Sequence, residues 1–405
     1  MVTEQIVLTD VESGASFQAR ENGGIQAGSA ASNAAGQFHV GDHNWSISKS
    51  TLRGGLSEGV EVVWIHNGPL AIAVLPTRGM GIWKAEFRGI PIGWNSPVRL
   101  PVHPGFVNLK ERDGLGWLNG FNELMCRCGL SFHGPPGVDQ IHDESGNVVS
   151  ESELTLHGRI ANLPAHRVVA RVEAESGALS VTGTIDECSL FGPALRLEST
   201  VSTRVDSSEL TIRDRVTNLG GQPTEFELLY HTNFGPPFLE KGSQIVAPVR
   251  EIAPRDGHSA SGLDCWQSYP APSAGITEEA FFLDLQADSA GRTEVLLRNA
   301  AGDRGVTLAW QKSQLPCFTL WKNPQAEADG YVTGLEPGTS LPNLKSFERQ
   351  QGRLLTLPPG GSHESGYTLR VYDSESAVSE AAERVTTLQT ARPVVHAAPV
   401  AKYSP

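Results

Sequence analysis

Long hydrophobic runs are missing from this sequence of 405 residues. No segment reaches the ~18–20 consecutive apolar residues that a membrane-spanning helix needs. The apolar run Ile6–Leu8 is too short for the core of a secretory signal, and no basic region precedes it. The sequence therefore predicts a cytoplasmic protein without a membrane partner.

Basic residues are also scarce. The chain carries 32 Lys and Arg against 45 Asp and Glu, which gives a formal net charge of −13. No run of Lys and Arg reverses this balance locally, and an acidic surface repels the phosphate backbone of nucleic acids. We therefore expect no nucleic-acid partner.

The five cysteines form no recognisable framework. An odd number of cysteines without a secretory signal predicts reduced thiols. Cys126 and Cys128 are separated by one residue, which is not a usual zinc spacing. Both are expected to be buried small hydrophobic residues.

Helical periodicity is confined to one stretch, Ser376–Gln389, where the apolar residues share one face. Elsewhere short apolar or alternating runs stand between turn residues, as in Leu70–Leu75 and in the hairpin pattern around Ser176-Gly177. The 43 glycines and 26 prolines suit many turns. This pattern predicts a mostly β protein, a large antiparallel β-sandwich with few short helices.

Composition divides the chain into three parts. Residues 1–36 read as an N-terminal strand and linker segment, since 21–36 are rich in Gly, Ala and Ser. Residues 37–375 read as the sandwich domain. Residues 376–405 read as a C-terminal helix followed by an extended tail.

Three side chains suit proton transfer. His157 and His231 lie in turn-like segments at strand ends, and imidazole titrates near neutrality, as a general acid requires. Glu336 stands at an apolar strand end, where a raised pKa makes a carboxylate a usable base. The alternatives are two structural histidines and a turn carboxylate that caps backbone amides.

Three segments resemble motifs of the galactose mutarotases (aldose 1-epimerases). Thr155–Pro164 (TLHGRIANLP) looks like their Asn-x-Leu-His-Gly-Gly segment. Leu229–Gly235 (LYHTNFG) resembles their His-Pro-Tyr-Phe-Asn-Leu segment, and Gly334–Asn343 (GLEPGTSLPN) resembles their Leu-Glu-Thr-Gln segment. Other segments, among them GWNSP, PVHP and GFNELMCRCGL, resemble an uncharacterised branch of the same superfamily, a domain of unknown function.

The resemblance implies a specific fold and chemistry. The superfamily folds as a supersandwich with a sugar cleft on its concave face, and it needs no cofactor and no metal. Carried over by motif, Glu336 takes the proton of the anomeric hydroxyl and His231 protonates the ring oxygen. His157 binds near that oxygen, and Arg127 fills the position of a substrate-binding arginine.

The sequence also departs from these motifs. Gly158 is followed by Arg159 where the family has a second glycine, and Thr232 and Asn233 replace a proline and a tyrosine. Arg159 would add a cation beside the site and predicts an acidic sugar, because arginine binds planar oxyanions in a bidentate way. The alternative is that Arg159 pairs with an acidic neighbour such as Glu153.

Further residues are candidates for sugar contacts. Glu123 has the same strand parity as Arg127, and the others lie on loops or between aromatic residues. Tryptophans stack on sugar rings, although in a sandwich they also fill the core. The candidate binding residues are Glu123, Asn95, His103, Lys322 and Asn343, and the candidate stacking residues are Trp94, Trp117 and Trp321.

Three functions remain open at this point. The first is an aldose 1-epimerase-like enzyme that acts on a small-molecule sugar. The second is another sugar isomerase, in which His103, Glu123, His157 and His231 converge on a metal ion. The third is a carbohydrate-binding protein without catalysis. The sequence also leaves open whether the protein forms a homodimer.

Overall fold

The structure, a computed structural model, describes residues 3–16, 24–25, 38–40, 43–143 and 145–405. The expected linker, residues 21–36, lies outside the described residues except for Gly24–Ile25. Within the described residues, no helix is long and apolar enough to cross a membrane.

Strands dominate the described chain. In chain order they are β1 (Thr3–Asp10), β2 (Ala15–Ser16), β3 (Gly24–Ile25), β4 (Phe38–Val40), β5 (His43–Thr51), β6 (Glu61–His66), β7 (Leu70–Leu75), β8 (Gly81–Phe87), β9 (Ile90–Ile92), β10 (Met125–Leu130), β11 (Gly137–His142), β12 (Val148–Leu154), β13 (Arg167–Glu173), β14 (Ala178–Cys188), β15 (Ala194–Arg204), β16 (Glu209–Asn218), β17 (Thr224–Phe234), β18 (Gln244–Val246), β19 (Val249–Pro254), β20 (Glu279–Leu285), β21 (Arg292–Arg298), β22 (Gly305–Gln311), β23 (Cys317–Asn323), β24 (Val332–Gly338), β25 (Leu355–Leu357), β26 (Ser362–Tyr372) and β27 (Val394–Val395). The helices are α1 (Glu111–Gly114), α2 (Gly257–Ser261), α3 (Lys345–Gln350) and α4 (Glu375–Thr387).

Two large sheets form the molecule. The smaller sheet has the strand order β18-β21-β22-β26-β16-β15-β14-β13-β1-β2. The main path of the larger sheet is β27-β19-β20-β23-β24-β17-β10-β8-β7-β6-β5-β3. Among the described strands the pairs are antiparallel, apart from β27, which runs parallel to β19. This is the large antiparallel sandwich that the sequence predicts, and β1 joins it by pairing with β13 along its length.

The core lies between the two sheets and takes alternate residues of each strand. On β17, Phe226, Leu228 and Tyr230 pack into this core. Because successive side chains of a strand point to opposite faces, Leu229 and His231 lie on the other face of the larger sheet. Burying a large apolar side chain contributes ~1.5–3 kcal/mol, so this alternation fixes which face each residue takes.

The C-terminal segment packs on the outside of the sandwich. Helix α4 begins after Ser374, whose hydroxyl accepts a hydrogen bond from the Ala377 N–H (3.4 Å), and it buries Val378 and Val385. The expected tail is a strap, because Tyr403 is buried and its hydroxyl donates to Glu251 (2.8 Å). The strap thereby reaches the outer face of the larger sheet.

Candidate active site on the outer face of the larger sheet

Strand register brings the predicted base and acid together. Thr232 on β17 pairs with Leu335 on β24, which places His231 beside Glu336 on the outer face. The Nε2 atom of His231 lies 3.2 Å from Oε1 of Glu336, and both side chains are almost fully buried. Gly334 makes room for this pair, since a Cβ there would lie 3.2 Å from His231 Cε1 and collide with Glu336 Oε1.

Asn233 determines the tautomer of His231. Its amide nitrogen donates to the backbone carbonyls of Glu123 (3.0 Å) and of His231 itself (3.1 Å). The amide oxygen is therefore left to accept, and it lies 2.7 Å from Nδ1 of His231. Nδ1 must carry a proton, so in neutral His231 the lone pair is on Nε2, facing Glu336.

His157 lies on a loop that packs against β10. The residue has a left-handed backbone (φ +58°), and its Nδ1 lies 2.9 Å from the carbonyl oxygen of His133. The centroid of the imidazole lies 5.6 Å from that of His231 and 4.7 Å from that of Trp117, whose ring plane it meets at 73°. His157 therefore stands beside the His231–Glu336 pair.

Burial and neighbouring charge shift all three pKa values. Burial raises the pKa of Glu336 well above its ordinary value, although the charge of His157 opposes this. Burial, helped by the charge of His157, lowers the pKa of His231 to about 3. Burial alone would lower the pKa of His157, but contacts with Cys128 and the His133 carbonyl outweigh it and raise the pKa to about 9. These shifts favour a neutral His231–Glu336 pair beside a charged His157.

These groups form the floor of a large cavity of about 1040 Å³. Ligand sites typically measure about 300–1,000 Å³ and are mostly apolar with a few polar groups. The walls here are aromatic, and Trp94, Trp117 and Trp321 all line them, as the sequence suggests. Phe121 completes the aromatic wall, 5.0 Å from the ring of His231.

Three buried polar atoms on this lining have no hydrogen-bond partner among the described residues. They are the indole N–H of Trp117, the hydroxyl of Thr319 and Oε1 of Glu336. Thr319 is the cross-strand partner of Glu336, so two of these atoms lie side by side. A buried unpaired polar group costs about 1–3 kcal/mol, and a ligand with hydroxyl groups would remove this cost.

The structure corrects the role predicted for Arg127. Its guanidinium is fully buried between the two sheets, where Nη2 donates to Asp214 (2.9 Å) and to Ser199 (2.7 Å). It also pairs with Asp214 through Nε and donates to backbone carbonyls of residues 79 and 80. Arg127 therefore points to the core, and its neighbours Cys126 and Cys128 take the outer face.

Two other predictions are corrected with it. Glu123 accepts from Arg78 (2.6 Å) and from the Asn122 N–H (3.0 Å), so its carboxylate holds a turn. The Nδ1 atom of His103 accepts from the Gly105 N–H (3.1 Å) and caps a short 3₁₀ turn. Neither residue lines the cavity, so the proposed metal set with His157 and His231 does not assemble. Within the described chain, no three His, Cys, Asp or Glu side chains converge as metal ligands.

Of the three remaining predicted sugar contacts, one lines the cavity and two do not. Asn95 is exposed and lies outside the cavity lining. Lys322 faces the core, where its ammonium group donates to the carbonyls of Ser268 (3.0 Å) and Cys265 (3.3 Å). Asn343 does line the cavity, but its amide N–H groups are held by Glu348 (2.8 Å) and by a tail carbonyl.

The cationic residues that line the cavity differ from the predicted one, Arg159. Arg159 is exposed and does not line the cavity, and its alternative partner Glu153 pairs with Lys110 (3.1 Å) instead. Arg112 and Arg255 line the cavity and were missed, because no motif marks them.

An acidic cluster holds Arg255 at the cavity wall. Its guanidinium contacts Asp256 (2.9 Å) and Glu278 (3.0 Å). The other oxygen of Glu278 accepts from the indole N–H of Trp321 (2.6 Å), which fixes that ring. No sequence signal indicated this cluster, whereas the parity of β17 could have indicated Asn233.

Comparisons with known proteins identify relatives of this chain. A family model described as a domain of unknown function, DUF4432, matches residues 57–371. The chain is 32% identical to a protein from Klebsiella pneumoniae subsp. pneumoniae named "putative aldose 1-epimerase", over 98% of this chain and 99% of that one, with a TM-score of 0.88. No match was found among curated proteins.

More distant solved structures share the fold alone. A galactose mutarotase-like protein from Clostridium acetobutylicum is 16% identical, with a TM-score of 0.54 over 81% of this chain and 98% of that one. A galactose 1-epimerase from Lactobacillus acidophilus is 12% identical, with a TM-score of 0.52 over 82% and 99%.

Proposed function

This chain belongs to the DUF4432 family, and from that premise we propose that it is a sugar isomerase that interconverts the anomers of an aldose. The observation that carries the proposal is the set of unpartnered polar atoms in the cavity lining. They include an indole N–H (Trp117), a carboxyl oxygen (Glu336) and a hydroxyl (Thr319). The hydroxyl groups of a sugar both donate and accept, so one ligand can satisfy all three.

The His231–Glu336 pair supplies the chemistry. Ring opening requires removal of the anomeric hydroxyl proton and protonation of the ring oxygen. A carboxylate on Glu336 takes the first proton and an imidazolium on His231 gives the second. Each positioned proton-transfer group contributes typically ~10²–10⁴-fold.

The free site matches the ring-opened half of this cycle, so a bound cyclic sugar reacts once a proton has moved from Glu336 to His231. Ring opening leaves a protonated Glu336 and a neutral His231, which is the state that the shifted pKa values favour in the free site. After the aldehyde rotates, ring closure on the other face returns one proton to His231 and one to the sugar oxygen. The pair holds one proton in total in both half-reactions, and its two forms differ only in which atom carries it.

The residues of the cavity walls also indicate which kind of sugar would bind. The faces of Trp94 and Trp321 suit stacking on pyranose rings. Arg112 donates only to neutral oxygens, those of Leu115 (3.4 Å) and Asn119 (3.1 Å), among the described residues. It is therefore the lining cation that could take the carboxylate, sulfate or phosphate of an acidic sugar. In this proposal a small-molecule sugar is the partner and no cofactor takes part.

Exchange NMR in deuterated water tests the reaction class. Neutral and acidic aldoses are incubated with the protein, and anomer exchange is measured together with retention of the hydrogen on C2. We expect faster anomer exchange with that hydrogen retained, because ring opening breaks no C–H bond. Loss of the C2 hydrogen to solvent would instead indicate an isomerase that works through an enediol. Sugar binding without either change would indicate a binding protein.

A further inference from the structure

A strap, residues 394–405, crosses the outer face of the larger sheet beside the candidate site. It begins with β27, which pairs with β19 at one end of that sheet. Pro405 lines the cavity, together with Pro342, Asn343 and Leu344 from the segment after β24. The reaction proposed above gives the strap no role.

Glu251 on β19 holds the strap through three side chains. Its carboxylate accepts from the imidazole of His396 (2.7 Å) and from the hydroxyl of Tyr403 (2.8 Å), and it pairs with the ammonium group of Lys402. Burial raises the pKa of Glu251, but the hydrogen bonds from these three side chains outweigh it and lower the pKa to about 2. The carboxylate is therefore charged at neutral pH and keeps all three contacts.

Hydrogen bonds also join the strap to the segment that lines the cavity. The Asn343 amide group donates to the carbonyl oxygen of Tyr403 (2.8 Å), and Arg353 donates to that of Lys402 (2.7 Å). Glu348 connects the two donors, since it accepts from Asn343 (2.8 Å) and pairs with Arg353 (2.6 Å). Because Glu348 is fully buried, these contacts fix the strap against the cavity wall.

Strand pairing places the strap two strands away from Glu336. Tyr403 packs in one cluster with Phe282 of β20. Phe282 is paired with Thr319 on β23, and Thr319 is paired with Glu336 on β24. Paired residues of neighbouring strands point to the same face, so Phe282 shares the face of Glu336. Two strand spacings, about 10 Å, separate them.

The proposed roles of His231 and Glu336 orient a bound sugar relative to the strap, and this step rests on the proposed function. The anomeric carbon is bonded to the ring oxygen, to its hydroxyl oxygen and to C2. With the ring oxygen at His231 on β17 and the hydroxyl at Glu336 on β24, C2 lies on the side away from β17. The next strands on that side are β23 and β20, so C2 faces Thr319 and the strap.

We infer that the strap determines specificity at C2: together with Thr319, it selects sugars that carry a hydroxyl group on C2 and excludes larger groups there. The Thr319 hydroxyl has no partner among the described residues and can hydrogen-bond the C2 hydroxyl. Beyond it, Pro405 and Asn343 bound the cavity. Both amide N–H contacts of Asn343 are taken, by Glu348 and Tyr403, so this wall offers a 2-acetamido group a collision and no amide donor from Asn343.

Thiol labelling tests without any sugar whether the strap covers this face. Cys317 packs against the cluster of Tyr403, and burial raises the pKa of its thiol to about 12. A deletion of residues 403–405 exposes this thiol, so iodoacetamide should label Cys317 at least about tenfold faster than in the full chain. Mass spectrometry of the labelled peptides measures the rates, with the exposed Cys188 as internal control. Equal Cys317 rates in the two proteins would overturn the inference.

Kinetic selectivity tests the role at C2. Glucose, galactose and mannose are each compared with their 2-acetamido analogue, and kcat/KM is measured by exchange NMR. A deletion of residues 404–405 removes Pro405 but keeps Tyr403. It should raise the ratio of the 2-acetamido sugar to its parent by about tenfold or more, as should the deletion of 403–405.

Two controls accompany this comparison. Tyr372→Ala removes a tyrosine of the smaller sheet that is as buried as Tyr403 (7% and 6% exposed), and it should leave the ratio unchanged. Cellobiose carries its second ring on C4, at the opposite edge of the reducing ring, and should gain nothing from either deletion.

The outcomes separate this inference from the proposed function. Anomer exchange with an unchanged 2-acetamido ratio in both folded deletions would overturn the inference and leave the proposed function standing. A gain for cellobiose instead would show that the other edge of the ring faces the strap, which also contradicts it. If no sugar turns over, calorimetry gives the same ratio from dissociation constants, so the proposed function fails while the ratio still decides. No binding of any of these sugars would contradict the inference as well.

Discussion

At the scale of single residues, the state of the site depends on groups that never touch a ligand. Asn233 is the clearest case, because its two N–H contacts force its oxygen to accept from His231. The lone pair on Nε2 of His231, and so its pairing with Glu336, follows from an amide on the far side of the ring. A small change in Asn233 should therefore be visible in the titration of His231.

Asn233→Asp tests this dependence. A carboxylate facing Nδ1 favours the charged imidazole, so the pKa of His231 should rise from about 3 by about one to three units. The measurement is an NMR titration of the His231 ring. Asn323→Asp is the control, since Asn323 also lines the cavity but donates to the Gly330 carbonyl (2.9 Å). An unchanged His231 titration in Asn233→Asp would contradict the assigned tautomer.

At the scale of elements, the His157 loop depends on a glycine packed against β10. Gly158 has φ +72°, and a Cβ there would collide with the carbonyl oxygens of Phe132 and Gly129. Gly360 has nearly the same φ, +70°, with no atom within 4 Å of its Cβ position. Alanine at either position would strain a left-handed backbone. Only at Gly158 would the added Cβ also collide with neighbouring atoms.

Gly158→Ala and Gly360→Ala therefore form a matched pair. The left-handed backbone alone costs about 1–2 kcal/mol in Gly360→Ala. Gly158→Ala should cost clearly more, by a further 1–3 kcal/mol or so, and should move the NMR signals of His157. Denaturant unfolding measures both losses in the free energy of unfolding. Equal losses in the two variants would show that the loop does not need this close approach.

Strands with two buried faces limit what the sequence can predict. The alternation of polar and apolar residues shows which face of the sheet a residue takes only when one of the two faces is exposed. All six residues of β10 are buried, so the sequence pattern did not show that Arg127 faces the core and not the cleft, whereas the burial expected for Cys126 and Cys128 is confirmed. The pattern likewise did not show that Lys322 on β23 faces the core. The motif residues His157, His231 and Glu336 could be predicted, because their segments carry the resemblance whatever the face.

At the scale of the whole molecule, one buried ion pair joins the two sheets. Arg127 belongs to the larger sheet and Asp214 to the smaller one, and Tyr230 also donates to Asp214 (3.0 Å). The sandwich class could be predicted from strand patterning, but this link could not, because it depends on how the sheets pack. The convergence of segments as distant as residues 155–164 and 334–343 likewise depends on register between strands far apart in the chain.

Arg127→Met tests the structural role of this pair. Removing one partner leaves a buried charge on Asp214, so the free energy of unfolding should fall by about 3–5 kcal/mol. The double variant Arg127→Met/Asp214→Leu should recover part of this loss, because no unpaired charge is left. Denaturant unfolding measures both. Unchanged stability together with weakened sugar binding in Arg127→Met would restore the substrate-binding role.

The central claim is that Glu336 transfers a proton of a bound sugar. Exchange NMR of anomer interconversion on Glu336→Gln tests it most directly, with Glu364→Gln on the exposed face of β26 as the control. Glutamine keeps the shape and removes the base, so the acceleration should fall by ~10²–10⁴-fold in Glu336→Gln and persist in the control. An undiminished rate in a folded Glu336→Gln protein would contradict the account.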